Sequence, residues 1–265
     1  VNQSHQWDRD ALWDLAGRAT IAAAWRAPGL ETASGPGYWY ESTSLNLWAA
    51  NLLALYGRPN DADGMLESLQ HVIDHGLEAG AFVHPRTFPQ LLPWIEGKPI
   101  LRGGLIPLMA RSGPPPPALR RPYGGSVERL APGTDPTTAL AIVAGAFDMD
   151  PSMVRQDLGG AIEHPEIAFH GAGIDALTAV RISHIHGDTC YIDIMAAAKS
   201  SQRQGSGRAV LCAAMDDAAQ NGVDHFFLFA SEAGQPLYQS LGYDVIDVGQ
   251  FWMINGPPED EATSA

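Results

Sequence analysis

Apolar residues at Leu12, Leu15, Ala16, Ala19, Ala22 and Ala23 recur at helical spacing and stop before Pro28 and Gly29, which predicts a helix from Leu12 to Trp25. After the turn-rich Ser34-Gly35-Pro36-Gly37 the pattern changes. Tyr38, Trp39, Tyr40 and Thr43 have the aromatic and β-branched character of strands, so Tyr38 to Leu55 is expected to hold one or two of them. Asp61-Ala62-Asp63 is an acidic start signal for a second helix through Met65, Leu66, Leu69, Val72 and Ile73, ending at His75-Gly76. A Phe82-Val83 strand, a Pro89-Gln90-Leu91-Leu92 segment and an apolar run from Leu105 to Ala110 complete the first half.

Arg111 to Gly125 breaks the pattern. It holds four successive prolines, Pro114 to Pro117, followed by Pro122-Tyr123-Gly124-Gly125, and such a run neither continues a helix nor sits inside a sheet. It reads as a stiff spacer and the best domain boundary, giving a first domain at 1–111, a linker at 112–125 and a second domain at 126–256. A ligand for a proline-recognising partner is the rarer use of such a run. The polar, acidic 257–265 stretch is expected to be a flexible tail.

The second half is patterned more sharply. A strand from Val127 to Leu130 precedes helices at Thr138–Phe147 and Ser152–Ile162, and then strands near Ile167–Ile174, Leu177–His186 and Cys190–Ala197. A glycine turn, a helix from Arg208 to Gln220 stopped by Asn221-Gly222, a strand at His225–Ala230, a short helix at Gln235–Leu241 and a last strand at Val245–Ile254 follow. The order is β-α-α-β-β-β-α-β-α-β.

Composition narrows the class. In 265 residues, 45% are hydrophobic, enough for a substantial core, and only 17% are charged, while 28 glycines and 20 prolines supply many turns. A net charge of −14 argues against nucleic acid, since no basic face is available to displace counterions, and it favours cationic ligands or simple solubility. No apolar run approaches a membrane span, and no basic-then-apolar leader is visible from Val1 to Asp10. Cys190 and Cys212 fall in a strand and a helix, which suits a reducing cytoplasm better than a disulfide framework.

Candidate chemistry centres on Gln202-Arg203-Gln204-Gly205-Ser206-Gly207, a strand-to-helix turn. Its glycines would let backbone N–H groups approach a phosphate at the positive end of the helix dipole. Asp193 lies in an otherwise apolar strand, Ile192 to Ala198, on the same strand face as Tyr191; a carboxylate there is costly unless it is partnered or functional. Trp48 and Asn51 are candidates to line a site, with core packing favoured for Trp48. His71, His75 and His84 lack the spacing of a common metal site, and His184-Ile185-His186-Gly187-Asp188 begins a metallohydrolase-like motif but has Thr189 where a histidine is required, so no metal is expected.

The element order, Gln-x-x-Gly-x-Gly at Gln202, Gly205 and Gly207, and Tyr-x-x-x-Gly-Tyr at Tyr238, Gly242 and Tyr243 together resemble the GNAT superfamily of acyl-coenzyme A-dependent acyltransferases, over about Ser126 to Asn255. The resemblance implies an α/β (α+β) fold with a mixed, mostly antiparallel sheet flanked by helices. The first half, with Phe82-Val83-His84-Pro85, Pro89-Gln90-Leu91-Leu92 and Pro107-Leu108-Met109, looks like the degenerate GNAT-like domain that precedes the active one in two-domain members.

It further implies that Gln202, Arg203, Gln204, Gly205, Ser206, Gly207 and Arg208 hold the coenzyme A pyrophosphate. The preceding strand would splay from its neighbour and offer backbone groups at Met195, Ala196 and Ala197 to the pantetheine. Tyr238 takes the position of the tyrosine that protonates the departing thiolate; an aromatic core residue is the other reading. The glutamate common on the fourth strand is replaced by Tyr191, which leaves Asp193 as base, salt-bridge partner or anchor for a cationic substrate. His184 or His186 is an assisting base, and His170 and Glu163 are weaker candidates.

The function expected is therefore acyl transfer from acetyl-coenzyme A, or another acyl-coenzyme A, to an amine of a small-molecule acceptor by direct attack. Two alternatives remain: an acyl donor carried on a carrier protein, which the acidic surface disfavours, and a non-catalytic module that binds coenzyme A or a partner. Lys98 and Lys199 are the only lysines among 16 basic residues, a bias that fits a GC-rich bacterial genome.

Overall fold

The computed structural model describes residues 7–57, 62–120, 123–173 and 175–256. Residues 257–265, the start of the chain to Gln6, and Asp61 of the acidic start signal lie outside the described residues.

The second half folds as its pattern requires: β6 (Ser126–Leu130), α4 (Thr137–Ala146), α5 (Pro151–Leu158), β7 (Ile167–Gly173), β8 (Leu177–His186), β9 (Thr189–Ala197), α6 (Ser206–Gln220), β10 (His225–Phe229), α7 (Gln235–Ser240) and β11 (Asp244–Ile254). Asp150 caps α5, accepting hydrogen bonds from the N–H groups of Ser152 and Met153 ahead of Pro151 at the first helical position. The first half contributes α1 (Arg9–Ala23), β1 (Glu31–Gly35), β2 (Tyr38–Ser42), β3 (Leu52–Leu55), α2 (Ala62–Asp74), β4 (Ala79–Val83), α3 (Phe88–Ile95) and β5 (Ile100–Ser112).

One strand was not expected from the sequence, and one segment without an expected type proves helical. β1 has no apolar alternation and is almost wholly exposed; it forms because the Pro36-Gly37 turn folds it back on β2, pairing Gly35 with Tyr38 through Glu31 with Ser42. The Pro89-Gln90-Leu91-Leu92 segment is helical, with Pro89 in the first turn and Leu91 and Ile95 buried one turn apart. The Tyr38–Leu55 run does hold two strands, β2 and β3, separated by a short 3-10 turn at Trp48–Ala50.

Among the described residues eleven strands form one sheet, in the order β1-β2-β3-β4-β11-β5-β10-β9-β8-β7-β6. The pairs β3/β4 and β9/β10 are parallel and the other pairs antiparallel. The halves interleave: β11, from the chain's end, inserts between β4 and β5, and β5 lies between β11 and β10. The proline run leaves β5 through a 3-10 turn at Pro117–Leu119 and is fastened to the second half. Arg120 pairs with Asp216 of α6, and Arg111 donates to the carbonyl of Leu241.

Helices cover both faces. On one, α1 packs on Trp39, Tyr191 and Phe227, and α4 and α5 pack on Phe169, Val180 and Ile182. On the other, α2 and α3 cover Leu53, Leu55 and Trp252, while α6 and α7 cover Cys190, Ile192 and Phe226. Alternation along β9 sends Tyr191 to the first face and Cys190 and Ile192 to the second.

Candidate active site

The site begins where two parallel strands part. β10 pairs with β9 over His225 with Thr189, Phe226 with Cys190 and Phe227 with Tyr191, and no further. Beyond that point β10 continues beside β5, and β9 continues to Ala197 beside β8 alone. The backbone of Ile192 to Ala197 therefore has an open edge toward β10, as the resemblance implied for Met195, Ala196 and Ala197. Such an edge needs hydrogen-bonding partners from a ligand or water.

A bulge re-aims β9 at the opening. Ser183 pairs with Ile192 and Ile182 pairs with Ile194, so Asp193 has no residue opposite it. The simple alternation read from the sequence is interrupted there, yet Tyr191 and Asp193 both line the same cavity.

That cavity, of about 290 Å³, runs through the gap between the strands. Asp193, Ile192 and Met195 of β9 line it, with Tyr238 of α7 and Ser231 from the β10–α7 connection. Its far wall is aromatic and built by both halves. Phe82 of β4 stacks on Phe229 of β10 with centroids 5.0 Å apart, and Phe251 of β11 lies edge-on to Trp48 at 5.5 Å. Trp48 thus lines the site and is not only core. Asn51 is core: its amide bonds the carbonyls of Leu45, Leu47 and Glu78 and accepts from the N–H of Thr43, holding the β2–β3 connection.

Two carboxylates that the sequence analysis did not single out share the cavity with Asp193: Glu41 of β2 and Asp157 of α5, both buried. Burial pushes Asp193 up to about 7. Burial, with repulsion from Asp193, pushes Asp157 up to about 8. Burial, then Asp157 and Asp193, holds Glu41 well above the usual carboxylate range. A signal for both existed. Glu41 interrupts an aromatic strand as Asp193 interrupts an apolar one, and Asp157 falls on the helical stripe of Val154, Leu158 and Ala161. Tyr238, pushed up to about 12 by burial despite the opposing charge of Arg181, keeps its phenolic proton.

The glycine turn abuts this strand end. Arg203 and Gly205 take left-handed backbone conformations, at φ 62° and 93°, and Gly205 begins α6 with no side-chain cap. The first-turn N–H groups of α6 therefore lack both an intrahelical carbonyl and a capping side chain. A Cβ on Gly205 would meet no atom within 4 Å, and one on Gly207 would stand 3.9 Å from Met195 Cε, so the turn is an open cradle beside the cavity. Gln202, Arg203 and Gln204 are exposed, Ser206 is buried, and Arg208 is drawn away, bonding the Leu119 carbonyl and the Ser240 hydroxyl.

The histidines sit elsewhere. His184, a candidate base, is buried outside the cavity lining; its Nε2 lies 3.0 Å from Glu166 Oε2, and burial lowers its pKa. It stands opposite Tyr191 in the β8–β9 pair, but its ring is engaged by Glu166 and not by the cavity. His186 faces the same glutamate at 3.7 Å. His170 is bonded to Asp217 at 3.2 Å, and Glu163 accepts from the N–H of Gly133. Among the described residues no three His, Cys, Asp or Glu side chains converge to hold a metal, and no helix is long and apolar enough to cross a membrane.

Residues 149–251 match the model of the acetyltransferase (GNAT) domain. No curated protein matches the chain. Among solved structures, a GCN5-related N-acetyltransferase from Kribbella flavida superposes with a TM-score of 0.66 at 15% identity, covering 94% of this chain and 97% of the other. One from Sphaerobacter thermophilus gives 0.60 at 17% identity over 83% and 78%. A tandem GNAT protein from the clavulanic acid biosynthesis pathway, solved without AcCoA, gives 0.54 at 13% identity over 91% and 88%. These likenesses extend over most of the chain, so the fold shared with these structures includes the first half.

Proposed function

We propose, from the match of residues 149–251 to the model of the GNAT acetyltransferase domain, that this chain moves an acetyl or other short acyl group from coenzyme A to the amine of a small molecule. The observation that carries the reading is the cavity through the β9–β10 opening, which brings Asp193 and Tyr238 together beside the glycine cradle.

The donor's handle fits the residues present. The uncapped first turn of α6 suits a pyrophosphate, and the open edge at Met195, Ala196 and Ala197 suits the amides of a pantetheine. With the thioester held there, the acceptor nitrogen attacks its carbonyl carbon, a C–N bond forms and the C–S bond breaks. Asp193 takes the proton lost by nitrogen, and Tyr238 gives a proton to the departing sulfur. Solvent returns the proton from Asp193 to Tyr238, so the products are an amide and a free thiol. A base near pH 7 is matched to this task. Such a reaction belongs in the cytoplasm, where the two unpaired cysteines are also at home.

The test is direct. Acetyl-coenzyme A at a hundred times its dissociation constant is expected to stabilise the protein by about 2.7 kcal/mol in a thermal-shift measurement, and release of free thiol is expected with an amine panel. Failure to bind any acyl-coenzyme A would overturn the reading. Turnover with the acyl group on a carrier protein, and not on coenzyme A, would correct the donor. Binding without turnover, unchanged in Tyr238→Phe, would leave only a coenzyme A-binding module.

A further inference from the structure

The cavity holds more acid than acyl transfer uses. Asp193 suffices to take one proton, yet Glu41, 1% exposed, and Asp157, 3% exposed, line the same space. Glu41 Oε2 and Asp157 Oδ1 have no hydrogen-bond partner among the described residues, so these atoms do nothing to hold the fold together. A buried acceptor without a partner carries its full desolvation cost and calls for an explanation in a ligand. No arginine, lysine or histidine stands among the described residues that line the cavity, so nothing there neutralises the two carboxyl groups. They come from different halves of the chain, Glu41 on β2 and Asp157 on α5. The space between them and Asp193 is walled by the rings of Trp48, Phe82, Phe229 and Phe251, whose faces attract cations and whose surface accepts hydrocarbon.

We propose that the acceptor is a compact diamine, one nitrogen lying at Asp193 for acylation and the other held as an ammonium by Glu41 and Asp157, with the hydrocarbon between them against the aromatic wall. This rests on the acyl-transfer reading for the fate of the first nitrogen; the binding of the second does not depend on it. A monoamine would leave both orphan oxygens unpaired, whereas a second ammonium supplies the donors they lack. Burial, with repulsion from Asp193, raises Asp157 to about 8, and burial, then Asp157 and Asp193, raises Glu41, so an arriving ammonium displaces a proton held at this pair to solvent. The groups facing them in the cavity are Asp193 from β9, Tyr191 from β9 and Tyr238 from α7, and none supplies a positive charge.

The experiment compares 1,5-diaminopentane with pentylamine on the full chain, by calorimetry at neutral pH in two buffers of different ionisation enthalpy and by transfer from acetyl-coenzyme A. The diamine is expected to bind about tenfold tighter or better, to release about one proton, and to show a correspondingly higher kcat/KM. In Glu41→Gln and Asp157→Asn the diamine-to-monoamine ratio should fall toward one, mainly through the KM of the diamine. Equal binding of the two amines, or diamine binding without proton release, overturns the inference, and the wild-type comparison decides this even if a variant fails to fold. Equal turnover of both amines overturns it while leaving acyl transfer intact. Tight diamine binding with proton release but no turnover of any amine supports it and overturns acyl transfer.

Discussion

At Asp193 a single half-buried carboxyl would set the pH response of the proposed transfer. Held at about 7, it is mostly protonated below neutrality and free to act as a base above it, so kcat/KM should climb as pH rises through about 7 and then level off. Asp193→Asn is expected to lower kcat/KM by about 10²-fold or more and to abolish that limb, as read from a pH–rate profile. Asp157 bears on stability. Its folded pKa, about 8, lies above the ordinary carboxylate value, so the folded state binds its proton more tightly than the unfolded chain does. That contribution is present in full below the ordinary carboxylate range and is lost as pH rises through about 8. Asp157→Asn, which stays neutral, should match the wild type in acid and exceed it by at least about 1 kcal/mol in mild alkali, measured by thermal denaturation at both pH values. Asp193 was legible in the sequence because a carboxylate in an apolar strand stands out. Glu41 and Asp157 offered the same kind of signal, but nothing local told that they share a cavity.

Among the elements, the β9–α6 junction is where the proposed donor would bind. Gly205 sits at φ 93° with open space around it, so Gly205→Ala meets no clash and pays only for the left-handed backbone, about 1–2 kcal/mol. The relaxed turn would re-aim the first-turn N–H groups, and the dissociation constant for acetyl-coenzyme A is expected to rise about tenfold by calorimetry. The turn, α6 and β9 were legible because glycine punctuation and apolar spacing are local properties. The bulge at Asp193 was not, since it exists only relative to β8, and β1 was not, since its polar residues are strand-like only once β2 pairs with them.

Over the whole molecule, the interleaving of β5 and β11 ties the halves into one cooperative body. A single calorimetric unfolding transition is expected. Residues 123–256 expressed alone would leave β10 and β11 without β5 between them, exposing a sheet edge on each, and should aggregate or fail to fold by circular dichroism. The excess of acid, −14 overall, should also draw a cationic acceptor, so kcat/KM for a diamine is expected to fall several-fold as salt rises from low concentration to about 1 M.

By itself the sequence determined the order of elements in the second half, the glycine cradle, and the pairing of Asp193 with Tyr238 as candidate chemistry, because periodicity, turn residues and motif spacing act within a few tens of residues. Only the tertiary structure decided which strands are neighbours, that Trp48 faces the cavity, that His184 turns to Glu166, and that Glu41 and Asp157 line the same cavity as Asp193. Those outcomes depend on hydrogen bonds and packing between segments that are separate in sequence, some of them more than a hundred residues apart, as Glu41 is from Asp157. Strand register and the convergence of buried charges arise from the assembled sheet, and no local pattern encodes them.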